Sequence, residues 1–219
     1  MTALLADPAS AAVFLDFDGT ITTSDVGQHL LARRADPAWL ELHDAYGRGE
    51  IASRELLIEQ WALIDDPLDE VGLRAVAREV AIDPGLERFV GALATAGAEL
   101  TIVSDGFGFY LDEVCDRLGV RILTNAVDFA TGRLEFPNED RCCPCSSCGV
   151  CKQAPIKDAR HLGRTAVLIG DGVSDRKAAL LADVVLAKDA LADWCDHVGI
   201  AFHRFLTLDD ARELLLGTS

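Results

Sequence analysis

AAVFLDFDGT, residues 11–20, joins a short apolar run to two aspartates in alternate positions. The apolar run is typical of a strand that is buried on both faces of a parallel sheet. Asp16 ends this run, and an isolated carboxylate is costly to bury unless a partner or a cation neutralises it. The stretch therefore predicts a parallel-sheet protein with a functional carboxylate at the end of its first strand.

Strand-like and helix-like segments alternate along most of the chain. The further candidate strands are AELTIVS (98–104), TAVLIGD (165–171) and ADVVLA (182–187). Between them, PGLERFVGALATAG (84–97) has helix signals at both ends, with Asp83 as the expected N-cap and Gly97 at the stop. A hairpin is expected around DFATGRLEF (128–136). This alternation predicts an α/β domain with a mostly parallel sheet.

Residues 24–82 interrupt the alternation. This region contains helix-like segments such as SRELLIEQWALI (53–64) and no convincing strand. A helical stretch of this length directly after the first strand predicts a small separate lobe.

The overall composition excludes several classes of protein. The 219 residues carry a formal net charge of −16, which argues against binding to nucleic acids or to anionic membranes. No apolar run approaches the ~18 residues of a membrane span, and the N-terminus lacks the pattern of a secretory signal. We therefore expect a cytoplasmic protein, and its oligomeric state stays open.

Oxygen-bearing side chains follow three of the candidate strands. Asp16 and Asp18 follow the first, Ser104 the second, and Asp171 and Asp175 the third. Ligands of open α/β sheets bind beyond the carboxyl ends of the strands, so these groups should converge. Converging carboxylates need a cation, and oxygen ligands alone favour Mg²⁺.

These residues carry a family resemblance. DFDGT (16–20) resembles the first motif of the haloacid dehalogenase superfamily, Ser104 its second, and GDGVSD (170–175) its fourth. The resemblance implies a Rossmann-like α/β core with a parallel sheet, formed by residues 1–22 and 83–219. It also implies a helical cap at 23–82, Mg²⁺ as the cofactor and a small phosphorylated metabolite as the substrate.

The resemblance implies a phosphatase that works through an aspartyl-phosphate. Asp16 would be the nucleophile, and Asp18 would protonate the leaving oxygen and later activate water. The implied metal ligands are Asp16, the Asp18 backbone carbonyl and Asp171, with Asp175 either a further ligand through water or a residue that orients the others. The implied phosphate-binding groups are Thr20, Ser104, and the neighbouring backbone amides of Asp105 and Gly106. A phosphotransferase or phosphomutase on the same scaffold is the alternative.

A lysine that neutralises the transferring phosphate is also implied by the family. GVCKQAPI, residues 149–156, is similar to a stretch of the MtnX-like phosphatases of methionine salvage, which belong to the phosphoserine phosphatase branch. This similarity assigns the role to Lys152, with Lys157 as the fallback. Lys177 follows the fourth motif and is expected on a helix surface.

Asp25 occupies the position at which phosphoserine phosphatases carry a glutamate that contacts the substrate amine. The shorter aspartate is equally well explained as a helix N-cap. Arg54 is a weaker candidate for contact with a substrate carboxylate.

A cysteine cluster precedes Lys152. Cys142, Cys145, Cys148 and Cys151 recur at every third position, which makes structural Zn²⁺ one hypothesis. Reduced thiols that brace the loop are another, and an Fe–S or zinc protein built on this cluster is a less favoured function.

Overall fold

The computed structural model describes residues 3–138 and 147–217. Within these residues the strands form one seven-stranded sheet in the order β4-β3-β2-β1-β5-β6-β7. The strands are β1 (Ala11–Leu15), β2 (Glu99–Phe107), β3 (Arg121–Asp128), β4 (Arg133–Glu135), β5 (Thr165–Gly170), β6 (Val184–Ala187) and β7 (His203–Arg204). The helices are α1 (Val26–Arg34), α2 (Trp39–Gly47), α3 (Ser53–Trp61), α4 (Glu70–Ala77), α5 (Leu86–Thr95), α6 (Gly108–Cys115), α7 (Gln153–His161), α8 (Arg176–Ala179), α9 (Asp189–Val198) and α10 (Leu208–Leu216).

The sheet is parallel except at one edge, which confirms the predicted α/β class. β1 lies in the centre and pairs in parallel with β2 and β5. β4 pairs antiparallel with β3 and forms the predicted hairpin. Because β1 is central and parallel to β2 and β5, the carboxyl ends of these three strands lie side by side at one edge of the sheet.

Apolar side chains cover both faces of the sheet. One buried cluster includes Val13, Leu15 and Phe89, and a second includes Phe14, Leu168 and Ile156. Alternate residues of β1 thus enter opposite layers, as a strand requires. This two-sided packing fixes the register of β1 and holds the residues that follow it in place.

Helices α1 to α4 lie between β1 and β2 in the chain, where the sequence predicts a cap. The segments that enter and leave this insert meet in an antiparallel bridge between Thr22 and Ile82. The predicted domain limits, 23–82 for the cap, stay a prediction to which this bridge lends support. Among the described residues, no helix is long and apolar enough to cross a membrane.

One expected helix signal works differently in the structure. Asp83 does not cap α5, whose N-cap residue is Gly85. Its Oδ1 accepts from the Gly85 amide at 2.7 Å and its Oδ2 from the Leu208 amide at 3.0 Å. Asp83 therefore ties the turn before α5 to the start of α10, a long-range contact that a local signal does not contain.

Candidate active site

Asp16 and Lys152 form a buried ion pair at the carboxyl end of β1. Lys152 Nζ lies 2.7 Å from Asp16 Oδ1 and 2.8 Å from Asp175 Oδ1. All three side chains are buried, and Lys152 directly precedes α7. The structure therefore brings together the lysine and two of the carboxylates that the sequence singled out.

Asp171 completes a cluster of three carboxylates with Asp16 and Asp175. Each offers an oxygen, and these atoms lie within 4.8 Å of one another. Asp171 and Asp175 approach Asp16 because β5 is paired with β1 and ends beside it. The Asp16 amide donates to Ile169 of β5 at 2.9 Å, which fixes the two strand ends relative to each other.

The charges in this cluster do not balance. Burial raises the pKa of Asp16, and Asp175 and Asp171 raise it further, whereas Lys152 lowers it. Burial and then Asp175 raise the pKa of Asp171 to about 6. Burial alone would lower the pKa of Lys152, but the charges of Asp16, Asp175 and Asp105 outweigh it and raise it. One ammonium faces several carboxylates, so negative charge remains to be neutralised.

The cluster has the chemistry of a site for Mg²⁺. Its donors are carboxylate oxygens, which a small divalent cation prefers. A divalent cation would also relieve the excess negative charge that raises the pKa of Asp171. Asp16, Asp171 and Asp175 thus fit the implied metal ion.

Asp18 is directed toward the cap and toward α6. Its Oδ1 accepts from the Val26 amide at the start of α1, at 3.0 Å. Its Oδ2 accepts from the Tyr110 hydroxyl at 3.1 Å and from the Ser104 hydroxyl at 3.3 Å. Burial, and then the charge of Asp25, raise the pKa of Asp18 to about 7. A carboxyl group of that pKa can give and take a proton near neutral pH.

The two hydroxyls expected to bind phosphate have protein partners in the structure. Thr20 Oγ1 donates to Asp171 Oδ1 at 2.7 Å and orients that carboxylate. Ser104 Oγ, besides its contact with Asp18, accepts from the Gly106 amide at 2.9 Å. Ser104 and Gly106 therefore share one turn at the end of β2, close to the carboxyl group of Asp18.

The Asp105 carboxylate binds the loop before Lys152. Its Oδ1 accepts from the Val150 amide at 2.6 Å, and Ser53 of α3 also hydrogen-bonds to it. Ser53 Oγ further accepts from the Gly149 amide at 3.3 Å. Asp105 therefore joins the end of β2, the cap helix α3 and the loop that carries Lys152.

Asp25 forms the N-cap of α1 and also faces the site. Its Oδ1 accepts from the Gln28 amide at 2.7 Å, which agrees with the N-cap interpretation of this residue. It lines a cavity of about 290 Å³ together with Asp16 and Asp18. Arg54, by contrast, places its guanidinium 4.5 Å from the centre of the Phe136 ring.

The cavity lies between the core and the helices of the insert. Core residues at its base include Asp16, Asp18, Gly106 and Asp171, and insert residues in its wall include Asp25, Gln28, His43, Tyr46, Leu56 and Gln60. The cavity is therefore bordered on this side by insert side chains of mixed polarity.

The cysteine cluster is only partly described. Cys142 and Cys145, two of the four thiols of the hypothesised zinc site, lie outside the described residues. Cys151 is buried beside Lys152, and Cys148 Sγ lies 3.9 Å from Lys177 Nζ. Within the described part of the chain, the Asp16 cluster is the only group of metal-ligating side chains that converge, and structural zinc has no support.

The other two candidate lysines lie elsewhere. Lys157 is on α7, in the helix that Lys152 precedes, and Lys177 is an exposed residue of α8. The buried contact with Asp16 therefore distinguishes Lys152 from both.

Residues 13–180 match the model of the family described as haloacid dehalogenase-like hydrolase. The chain belongs to this family. Its sequence is 30% identical over 209 residues to a 2-hydroxy-3-keto-5-methylthiopentenyl-1-phosphate phosphatase of Brevibacillus brevis, covering 93% of this chain and 94% of that protein. A protein of the same name from Exiguobacterium sp. is 28% identical over 96% of this chain and 99% of its own length.

A solved structure similar to this haloacid dehalogenase-like protein is a phosphoserine phosphatase with an analogue of its phospho-aspartyl intermediate. It superposes with a TM-score of 0.71 at 19% identity, and covers 94% of this chain and 97% of that one. This likeness shows the fold. The family model and the curated relatives confirm the predicted family and the predicted class of enzyme, a phosphatase.

Several neighbours of the site were not found by sequence reasoning. These are Tyr110, Ser53 and the Val26 amide, which all contact Asp18 or Asp105. Val26 belongs to α1 and Ser53 to α3, and their partners depend on how these helices of the insert pack on the sheet. Tyr110 follows Ser104 by six positions, in the helix after β2, and a search of that helix for polar side chains would have selected it.

Proposed function

We propose that the protein is a Mg²⁺-dependent phosphatase that hydrolyses a small phosphomonoester, with Asp16 as the nucleophile. The single observation that carries this assignment is the buried Asp16–Lys152 ion pair, which stands beside the protonatable carboxyl group of Asp18. Lys152 lowers the pKa of Asp16 against the effects of burial and the neighbouring carboxylates, and it adds positive charge where the phosphoryl group would bind.

In the first step an Asp16 carboxylate oxygen attacks phosphorus, and the bond from phosphorus to the ester oxygen breaks. Asp18 gives its proton to the leaving oxygen, so an alcohol departs and Asp16 carries the phosphoryl group. In the second step Asp18, now a carboxylate, takes a proton from water as that water attacks phosphorus. Asp16 is released with its electron pair, and inorganic phosphate leaves.

Residues around Asp16 are proposed to help neutralise the negative charge of the carboxylates and of the bound phosphate. Asp16, Asp171, Asp175 and the Asp18 carbonyl would hold Mg²⁺, which offsets repulsion between the carboxylates and a phosphate dianion. Thr20 orients Asp171 through its hydroxyl. Ser104 and the amides of Asp105 and Gly106 are proposed to bind the phosphate oxygens.

The cavity and the relatives together support a proposed substrate class. We assign a short, acyclic phosphate with polar and apolar parts, of the kind named for the relatives, 2-hydroxy-3-keto-5-methylthiopentenyl-1-phosphate. Leu56 and Phe107 offer apolar surface for a thioether tail, and Gln60 and Asp25 offer polar groups for hydroxyl and keto oxygens. The enzyme is proposed to act in the cytoplasm.

The test compares phosphate release from this keto-enol phosphate, from phosphoserine and from a panel of sugar phosphates, with Mg²⁺ and with EDTA. We expect the keto-enol phosphate to have the highest kcat/KM, at least about tenfold above phosphoserine. Asp16→Asn should abolish turnover, and EDTA should do the same reversibly. Asp193→Asn, at an exposed position on α9, is the matched control and should retain activity. Turnover that survives Asp16→Asn would refute the mechanism.

A further inference from the structure

Tyr110 presents a buried hydroxyl to Asp18. The side chain lies in the first turn of α6 and is 6% exposed. Its ring packs edge-on against Phe109, with centroids 5.1 Å apart, and lies 6.0 Å from the ring of Phe17. Phe17 stands between Asp16 and Asp18 in the chain. The ring thus packs against two aromatic neighbours, which restrict the direction of its hydroxyl.

Gly106 makes room for this contact. A Cβ atom at position 106 would overlap the Tyr110 hydroxyl and would lie 2.6 Å from Asp18 Oδ2. The turn after β2 therefore leaves open the space in which the hydroxyl and the carboxyl group meet. The contact between Tyr110 and Asp18 therefore requires a glycine at position 106.

Ser104 and Tyr110 are not equivalent donors to Asp18. A hydroxyl has one hydrogen, so Ser104 cannot donate to Asp18 and to a phosphate oxygen at the same time. The Ser104 contact is the longer of the two, at 3.3 Å against 3.1 Å for Tyr110. When the Ser104 hydroxyl donates to a phosphate oxygen instead, Tyr110 is the side chain that still donates a hydrogen bond to Asp18 Oδ2.

We propose that Tyr110 is a positioning residue that holds the Asp18 carboxyl group in the orientation needed to protonate the leaving oxygen. The inference rests on the proposed function. Oδ2 has two lone-pair positions, and when Ser104 leaves, one accepts from Tyr110 and the other is free for the transferable proton. The Val26 amide fixes Oδ1, so the two contacts together set the plane of the carboxyl group.

This role predicts a dependence on the leaving group. An alkyl phosphate releases a strongly basic alkoxide unless an acid protonates it, whereas 4-nitrophenolate leaves without help. Loss of the Tyr110 hydroxyl should therefore slow the alkyl ester selectively. General acid catalysis raises the rate of a reaction by about 10²–10⁴-fold. A general acid in a poorer orientation should therefore lower the rate on the alkyl ester by about tenfold.

The experiment measures kcat/KM of wild type and Tyr110→Phe for glycerol 1-phosphate and for 4-nitrophenyl phosphate. This constant covers the steps up to loss of the alcohol, so hydrolysis of the phospho-enzyme does not mask the effect. We expect about a tenfold loss on the alkyl ester and less than a twofold loss on the aryl ester. The ratio of the two constants comes from one preparation, so it does not depend on the fraction of folded enzyme.

The chain offers a matched control, because its two tyrosines are Tyr46 and Tyr110. Tyr46 lines the same cavity from α2. Tyr46→Phe removes the same hydroxyl from the wall of the cavity, so its effect should be on KM, and it should not lower kcat selectively for the alkyl ester. Equal losses on both esters in Tyr110→Phe, or no loss on either, would overturn the inference. A wild-type protein that releases phosphate from neither ester and not from the keto-enol phosphate would overturn the proposed function and this inference with it.

Discussion

Lys152 Nζ lies 2.7 Å from Asp16 Oδ1, and both side chains are buried. This ion pair places a fixed positive charge at the atom proposed to attack phosphorus. It also offsets the repulsion among the neighbouring carboxylates, so the proposed role of the lysine covers both the reaction and the stability of the site.

Lys152→Met should therefore remove activity and destabilise the protein. We expect a loss of at least about 10²-fold in kcat, the usual effect of removing one group that stabilises transition-state charge. The free energy of unfolding should fall by about 3 kcal/mol without Mg²⁺, because buried carboxylates lose their cation. Steady-state kinetics and urea unfolding measure the two effects. Lys157→Met is the matched change on α7, and comparable inactivation there would reassign the phosphate-binding lysine.

Asp105 should act through the loop that it holds rather than through its charge. Asp105→Ala removes the acceptor for the Val150 amide, so Lys152 should lose its position and kcat should fall about tenfold. Asp105→Asn retains an acceptor oxygen and should stay within about threefold of wild type. Kinetics of the two variants separate the possibilities, since equal losses would mean that the charge is what matters.

Gly106→Ala should be among the most damaging small substitutions in the core. The new methyl group would overlap the Tyr110 hydroxyl and crowd Asp18, with a cost of about 1–3 kcal/mol in stability and a loss of activity. Gly91→Ala, in the middle of α5 with open space around its Cβ position, is the control. That variant should gain about 0.5–1 kcal/mol and keep full activity. Thermal unfolding and one activity assay suffice, and an active Gly106→Ala enzyme would contradict the geometry.

The capping box of α10 should stabilise the protein only above acidic pH. Asp210 accepts from the Thr207 amide at 2.9 Å, and this bond is the main cause of its lowered pKa. A carboxyl group whose pKa is lower in the folded state stabilises the fold above its unfolded pKa of about 3.9, and loses this contribution as the pH falls through the folded value.

Asp210→Asn should accordingly lower the free energy of unfolding by about 0.5–1 kcal/mol at pH 7. The difference from wild type should shrink below pH 4. Urea unfolding at a series of pH values measures it, with Asp193→Asn as a control for the loss of one surface charge. A difference that stays constant with pH would show that the carboxylate form is not what caps the helix.

The sequence predicts the cluster of carboxylates around Asp16 well, because this cluster requires only that the strands before Asp16 and Asp171 pair in parallel. Asp16 and Asp171 each follow a buried strand, and any parallel pairing of those strands brings the two together. The strand pattern of β1 is equally plain, since every residue from Ala11 to Leu15 is buried. The local pattern of apolar residues and the shared direction of parallel strands are therefore enough to predict both β1 and the proximity of Asp16 and Asp171.

Contacts that depend on tertiary packing could not be predicted in the same way. Asp105 was expected to bind phosphate through its backbone amide. The structure shows a role for its side chain as well, because the carboxylate accepts a hydrogen bond from the amide of Val150, 45 positions later in the chain. Asp83 was expected to cap the adjacent helix, yet one of its oxygens binds α10. In each case a carboxylate has several donors within reach, and only the packed structure decides among them.

The bridge between Thr22 and Ile82 brings the entry and exit of the helical insert to one point on the core. An insert that begins and ends at one place can be replaced without changing the length or register of any sheet strand. Transplanting residues 23–81 from a relative with another substrate should therefore exchange specificity as a unit, provided that the new insert keeps the hydrogen bonds from its residue 26 amide to Asp18 and from a residue 53 hydroxyl to Asp105. The bridge between Thr22 and Ile82 makes the insert exchangeable between relatives. Chimeric enzymes joined at these two residues should therefore give phosphatases with new specificities on the same core.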